Sequence, residues 1–444
     1  MQNNCNNNSR RVLLEAQNLL LGSGTGIATY ARGLARALHS AGYSIDALVA
    51  SNRTLPHSDQ KLAEAVLFDG PRNYNLLHKG YLELRRAFGA PFGMKAGMVE
   101  NGGGFVVGRE AVLQGFERIH AVPHLFDVER LHFNSRGTRL TVKLGSDCDI
   151  FHATRPAPIR IRGVPNVYTI HDIVPLRLPY ATADDKAYFA SMIRDLCKTA
   201  DHIVTVSEFS RQDIVDFAGI TPDRITNTYQ AVAFPNEIVN RSEAQLRQSL
   251  REHHDLEFKD YYLYVGAIEP KKNISRLIDA YAASGTQRPL AVAGGLGWMY
   301  EADLERIGSE RFLSYTAQDG TITPRRKVRR LSYLPLQDIV DLIRGARALL
   351  YPSVYEGFGL PVAEAMLLGT PVLTSNVASL PEIAGDGALL VDPYDIDAIA
   401  HGIRQLDSDD DLIAELSANG ALMAERFSPE KFQQRMTKLY SELL

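Results

Sequence analysis

Short, largely apolar runs punctuate the chain at Val12–Leu14, Ser44–Ala50, Val167–Ile170, Tyr262–Val265, Leu290–Ala293, Ala348–Tyr351, Val372–Thr374 and Ala388–Val391. Bounded by Gly, Pro and polar residues, they carry the pattern of strands buried on both faces. Between them apolar positions recur at helical spacing, as in Ile27, Tyr30, Leu34 and Leu38 before Gly42, and in Ile274, Leu277, Ile278 and Tyr281. Alternating strands and helices predict α/β architecture with parallel sheets. The alternation lapses from Ile225 to Glu237, where Pro235 and Asn236 mark a linker, and restarts after Asp260. We expect one domain over 1–237 and a second over 238–428. A terminal helix with Phe432, Met436, Tyr440 and Leu443 on one face packs back on the first domain, so that about 429–444 completes it. Residues 52–145, with Gly102, Gly103 and Gly104 among them, show no sustained period; they read as strands and helices of the first domain with a variable region.

Chemistry concentrates where these strands end. Tyr351 to Pro371 reads YPSVYEGFGLPVAEAMLLGTP, with Glu356 and Glu364 eight residues apart. Gly357 and Gly359 allow close backbone approach to a ligand, Pro361 suits the first helical position, and Gly369 and Pro371 stop the helix. Glu364 is then expected in the first helical turn and Glu356 in the loop before it. Free amides and the helix dipole suit phosphate, and carboxylates accept from hydroxyls, so the stretch fits a ligand carrying both. Lys271 and Lys272 stand between another strand end and its helix, placed to meet phosphate as point charges. Gly294, Gly295 and Gly297 follow Leu290–Ala293 in the same way.

His171-Asp172 closes the strand Val167–Ile170, at the end where open parallel sheets hold ligands. It reads equally as a polar pair at a site or as a capping Asp beside a structural His. The loop Gly22, Gly24, Gly26 is G-x-G-x-G, with Thr29 where a dinucleotide fingerprint has its last small residue. It serves as a tight turn or a ligand-facing loop. Ser207 is a candidate N-cap.

A length of 444 residues predicts two or three domains. A net charge of −4 and pI near 6.3 give no basic field for nucleic acid. Cys5, Cys148 and Cys197 are scattered, without a metal or disulfide pattern. Asp147-Cys148-Asp149 reads as the lead into a strand rather than a metal pair. The basic run Arg325, Arg326, Lys327, Arg329 and Arg330 reads as a solvated loop and strand edge in preference to a face for lipid headgroups or a polyanion. The Asn-rich start lacks a signal-peptide core, and no apolar run approaches the roughly 20 residues of a span. The cytosol is the default expectation, with attachment at a membrane surface left open.

Taken together, EGFGLPVAEAMLLGTPV with its E-x7-E pair Glu356 and Glu364, GAIEPKKN over Gly266–Asn273, the loop at Gly24–Gly26 and the strand-end His171 resemble the retaining GT-B glycosyltransferases of family 4. TIHDIVPLRLP is similar to their mannosyltransferase-like branch. The resemblance implies two Rossmann-like domains facing a cleft, a C-terminal helix crossing back, and transfer of a hexose from a nucleoside-diphosphate sugar. Mannose from GDP-mannose is favoured, and the acceptor is a glycan or lipid-linked saccharide of bacterial surface polysaccharide or lipopolysaccharide synthesis. It implies that Glu364 bonds the ribose, Glu356 the donor sugar, the Gly359 and Leu360 amides the diphosphate, and that Lys272 neutralises the leaving group while His171 lines the reaction centre. Gly266, Lys271, Gly294, Leu334, Gly357 and Phe358 complete the expected donor pocket. Gly24, Thr25, Gly26 and Asp172 form the acceptor side. No cofactor, metal or nucleic acid is implied. Many members carry an Arg where this chain has Ala267 or Lys271, which shifts phosphate neutralisation onto the lysines. A sugar-nucleotide epimerase or hydrolase and a non-catalytic sensor share these expectations for the pocket; a dinucleotide dehydrogenase fits least.

Overall fold

The computed structural model describes residues 9–20, 26–56, 59–69, 80, 92–101, 106, 113–318, 321–332 and 334–444, without the side chains of 314–325. Two sheets dominate it. The first runs edge to edge through Ile225–Asn227, His202–Thr205, Asn166–Thr169, Ile150–Ala153, Arg11–Glu15, Ser44–Ser51, Arg118–Pro123 and Gly97–Glu100. Its pairs are parallel except the last. The second runs Val328–Leu331, Leu290–Ala293, Tyr262–Val265, Ala348–Tyr351, Val372–Ser375 and Ala388–Val391, all parallel. In each the first strand in chain order is central and the order reverses beside it, next to Ile150–Ala153 in the first sheet and Ala348–Tyr351 in the second. Ligand crevices of such sheets lie outside the carboxyl ends at that reversal.

The apolar runs became these strands because helices cover both faces. Leu13, Phe151, Leu263, Val292, Leu349 and Leu373 have no exposed surface. The terminal helix Pro429–Leu443 lies against the first helix, Gly26–Ser40, and buries Phe432, Met436 and Tyr440 in the first domain's core. The Tyr440 hydroxyl meets His152 Nδ1 at 2.6 Å, and His152 Nε2 meets Thr169 Oγ1 at 2.8 Å. Burial pushes His152 down to about 3, so it is neutral in this network. Among the described residues no helix is long and apolar enough to cross a membrane.

One expectation needs correction, and others find their place in the fold. Ile225–Asn227 is an edge strand, too short and too irregular in pattern to register as one. The region from 52 to 145 holds, as expected, helices and strands of the first domain, among them the helices Gln60–Leu67 and Leu125–Arg136 and the strands Gly97–Glu100 and Arg118–Pro123. The basic run leads into a sheet edge, as expected. Arg329 sits on the edge strand and bonds Asp255, and Lys327 bonds Gln287. Asp149 accepts from the Arg11 amide at 2.5 Å, at the amino end of its strand and away from the ligand crevice. Cys148 and Cys197 are free thiols. Cys5, Gly22, Gly24, Thr25 and Gly102–Gly104 lie outside the described residues.

The turn after Leu290–Ala293 is set by close backbone approach. Gly266 N donates to Ala293 O, and a Cβ on Gly294 would fall 1.9 Å from Gly266 O. Gly294→Ala must therefore displace backbone, at a cost of about 1–3 kcal/mol or more. We expect a clearly lowered denaturant midpoint for that variant. Gly26→Ala, whose methyl meets nothing within 4 Å, is expected to be near neutral in the same measurement.

Candidate active site between the two sheets

The second sheet's reversal brings two strand ends side by side. After Tyr262–Val265 the chain makes a single 3-10 turn, Pro270–Lys272, and enters the helix Ile274–Ser284. After Ala348–Tyr351 it loops to the helix Leu360–Leu367. Asn273 joins the two loops from a left-handed conformation (φ 63°) that Asn tolerates. Its Nδ2 donates to Pro352 O at 2.9 Å and to Pro393 O at 2.7 Å.

This junction positions a buried ion pair. Lys272 Nζ lies 2.6 Å from Glu356 Oε1 and 2.6 Å from the Tyr351 hydroxyl. Tyr351 and Ser353 also donate to Oε1, at 2.9 and 2.7 Å. Burial alone would raise the Glu356 carboxyl, but the charges of Lys272 and Lys271 and these hydrogen bonds outweigh it and hold it at about 2. Lys271 stands 3.6 Å from Glu269 Oε1. Tyr351 and Ser353 were not among the expected site residues. The signal available was a tyrosine ending an apolar strand, because a buried phenol needs a partner for its hydroxyl.

The helix that follows starts one residue earlier than expected. Leu360 is its first residue and Pro361 its second, so Glu364 is the fifth and stands beyond the first turn. The entry is fixed by Gly359 (φ 99°), where a Cβ would fall 2.6 Å from Leu380 Cδ2. No side chain caps this N-terminus. Glu364 lines a cavity of about 310 Å³ with Thr29, Arg32, Phe234, Leu336 and Pro429. Burial, offset by no neighbouring charge, pushes its carboxyl up to about 8.

The first sheet supplies the opposite wall. His171 Nε2 lies 2.9 Å from Thr154 O, and since a carbonyl only accepts, Nε2 carries the proton and Nδ1 a lone pair. Burial lowers its pKa despite that bond and the Asp172 charge, so the ring is neutral near pH 7. Tyr30 meets it edge-on, with centroids 4.9 Å apart. Asp172 Oδ1 accepts from the Val174 amide at 3.0 Å, which gives it a turn-forming role. The two walls touch at Gly357, where a Cβ would fall 2.5 Å from His171 O and 2.9 Å from Asp172 Cβ. Ser207 and Ser210 donate to Gly357 O at 2.6 and 3.1 Å. Ser207 is thus the expected N-cap, accepting from the Ser210 amide, and also a bond between domains. Glu382 receives the Glu208 and Phe209 amides, and Tyr355 donates to Asp213 Oδ2 at 2.6 Å.

His171, Lys272, Glu356, Gly357 and Gly359 therefore gather at one cleft. Gly266 and Gly294 pack backbone to backbone at the ends of Tyr262–Val265 and Leu290–Ala293, with Gly266 beside Tyr351. Leu334 packs on the second core just before the helix Leu336–Gly345. Phe358 departs from expectation: its ring is buried edge-on against Phe427, 5.1 Å away, leaving only its backbone for a ligand. Gly26 opens the first helix.

Two Rossmann-like domains that face one cleft with their strand ends, tied by a returning C-terminal helix, define the GT-B class of glycosyltransferase. The profile of Glycosyltransferase Family 4 matches residues 24–232 and that of Glycosyl transferases group 1 matches 247–441. The chain is 36% identical over 282 residues to O-antigen chain mannosyltransferase B of Escherichia coli, covering 62% of this chain and 70% of that one. It is 30% identical over 268 residues to the serotype-specific mannosyltransferase WbdA of Escherichia coli, covering 59% of this chain but only 31% of that longer protein. Among solved structures, sucrose-phosphate synthase from Thermosynechococcus elongatus aligns with a TM-score of 0.64 at 17% identity, over 98% of this chain and 99% of that one. Anabaena Alr3699/HepE in complex with UDP and glucose aligns with 0.64 at 16%, over 98% and 100%. The chain belongs to the family 4, group 1 glycosyltransferases.

The two glutamates predict opposite pH effects. Unfolded glutamates titrate near 4.3. Glu356, held at about 2 when folded, adds stability that is complete above pH of about 4.3 and lost as pH falls toward 2. Glu364, raised to about 8, keeps a proton the unfolded chain releases, so stability declines as pH rises from about 4.3 through 8. We expect Glu364→Gln to melt higher than the parent protein at pH 8 and equally at pH 4, read by thermal melts across that range. Parallel melting curves at every pH would contradict the assignment.

Proposed function

We propose that the protein transfers mannose from GDP-mannose to a hydroxyl of a glycan or lipid-linked saccharide in bacterial O-antigen synthesis, with retention of anomeric configuration and without a metal. The observation that carries this reading is the Lys272–Glu356 pair at the second sheet's reversal, on a loop whose next residue, Gly357, packs against the backbone of His171. The names of the mannosyltransferase relatives support the sugar. Residues 238–428 then serve as the donor domain, and 1–237 with 429–444 as the acceptor domain.

In this reading the donor diphosphate takes over Lys272 and the uncapped Leu360–Leu367 N-terminus, both of which favour anionic oxygen. Glu356 is then released toward the donor sugar's hydroxyls. Glu364 binds the ribose hydroxyls, and His171 presents its Nδ1 lone pair to the reacting sugar. As the bond from the anomeric carbon to the diphosphate oxygen breaks, the acceptor oxygen bonds that carbon on the same face. The acceptor proton passes to the departing phosphate oxygen. This front-face route asks no protein group to act as nucleophile, whereas a glycosyl-enzyme would require Glu356 to attack the anomeric carbon. A lipid-linked acceptor would draw the protein to a membrane surface.

Lys272→Ala is expected to lower kcat by about 10²–10³, the usual loss for one preorganised charge-stabilising group. His171→Ala and Glu356→Gln should also cut transfer sharply, measured as mannoside formed against free mannose released. Free mannose as the main product would favour a hydrolase, and unchanged turnover in all three variants would contradict the reading. EDTA should leave the rate unchanged. In a panel of sugar nucleotides, a ligand at 100 times its Kd should stabilise by about 2.7 kcal/mol, and GDP-mannose is expected to give the largest thermal shift.

A further inference from the structure

The donor half of the cleft is accounted for above, but the first sheet has its own order reversal, between Arg11–Glu15 and Ile150–Ala153. The residues leaving those strands form a polar cluster that no step so far uses. Glu15, fully buried, ends the first strand. Its Oε2 accepts from Thr154 Oγ1 at 3.0 Å and its Oε1 from the Gln17 amide at 3.2 Å. Arg155 Nε lies 3.5 Å from the same Oε1, and the guanidinium is stacked 4.4 Å from the centroid of Phe126. Its only hydrogen bond among the described residues is a long one, 3.4 Å, to Pro156 O. Most of the five donors of this guanidinium are therefore unspent.

Glu129 stands three residues after Phe126 on the helix Leu125–Arg136, near enough to Arg155 to feel its charge. It is 4% exposed, and its Oε2 has no hydrogen-bond partner. Burial pushes its carboxyl up to about 8 although Arg155 pulls the other way, so near neutral pH it is mostly the acid and can both donate and accept. A buried carboxyl left unsatisfied costs stability, and persists where something other than stability retains it.

The position of the cluster supplies the rest. Thr154 donates its hydroxyl to Glu15 and offers its carbonyl to His171. The cluster thus adjoins the reaction-centre histidine through one residue, on the first-domain side of the cleft. A planar donor fork, an orphan carboxyl and an aromatic ring converging at one point are the groups that bind a pyranose by its hydroxyls and its apolar face.

We propose that Arg155, Glu129 and Phe126 form the subsite for the acceptor sugar ring, with Arg155 donating to its hydroxyls and Glu129 fixing its orientation. This rests on the transferase reading above. The test uses GDP-mannose as donor and octyl α-D-mannopyranoside as acceptor, with KM determined for each in the full-length protein. Arg155→Met is expected to raise the acceptor KM at least ten-fold and leave the GDP-mannose KM and thermal shift within two-fold. Arg155→Lys should not restore it, because a point charge lacks the fork. Glu129→Met should raise the acceptor KM at least five-fold while keeping or raising the melting temperature, since it removes an unsatisfied buried carboxyl. A purely structural Glu129 gives the opposite pair, a lowered melting temperature with unchanged acceptor KM, and that result overturns the proposal. So does an acceptor KM within two-fold of the parent in both variants, or an equal rise in both KM values. If Arg155→Met does not fold, Glu129→Met decides alone. A parent protein that shifts with GDP-mannose but transfers to no mannoside fails earlier, at the transferase reading, and takes the subsite with it.

Discussion

The buried pair of Lys272 and Glu356 is the interaction on which the architecture of the site depends. Taking two charges out of water is costly unless geometry and hydrogen bonds compensate. Here Tyr351, Ser353 and Lys272 all converge on one carboxylate oxygen, Glu356 Oε1. That convergence requires two loops from neighbouring strands to keep a fixed separation. Asn273 holds them together through Pro352 and Pro393, and Ser353 also bonds Lys271 O. The pair therefore neutralises itself. Under the proposed function a diphosphate would exchange one anionic partner of Lys272 for another, so the lysine would not be left as an uncompensated buried charge.

The second constraint lies between the domains. Gly357 passes so close to the His171–Asp172 backbone that no side chain fits, and two serine hydroxyls from the first domain hold its carbonyl. The loop that carries Glu356 is thereby registered against the histidine of the other sheet. Neither domain contains the candidate site alone. The first domain contributes a neutral His171, with its tautomer set by Thr154, and the second contributes charge.

Much of this was legible in the chain. Both apolar alternations became parallel sheets, and Glu356, Lys272 and His171 stand at strand ends as their neighbouring runs implied. The rest failed for identifiable reasons. The edge strand Ile225–Asn227 has three residues and no alternation. Helix starts are uncertain by a residue or two, and the resulting slip placed Glu364 in the first turn when it belongs to the second. Tyr351 and Ser353 looked like strand and loop filler because their role depends on a lysine almost eighty residues away in sequence. Phe358 looked like a pocket wall, but Phe427, from the far end of the chain, draws its ring into the core. Contacts across such separations leave no local pattern, whereas strand-end chemistry does.

The central claim is that Lys272 is held ready for a diphosphate. The most direct measurement compares binding of GDP and of guanosine to the parent protein and to Lys272→Met by calorimetry. The account predicts that the substitution weakens GDP at least ten-fold and leaves guanosine unchanged. Equal GDP affinity in the two proteins would contradict it.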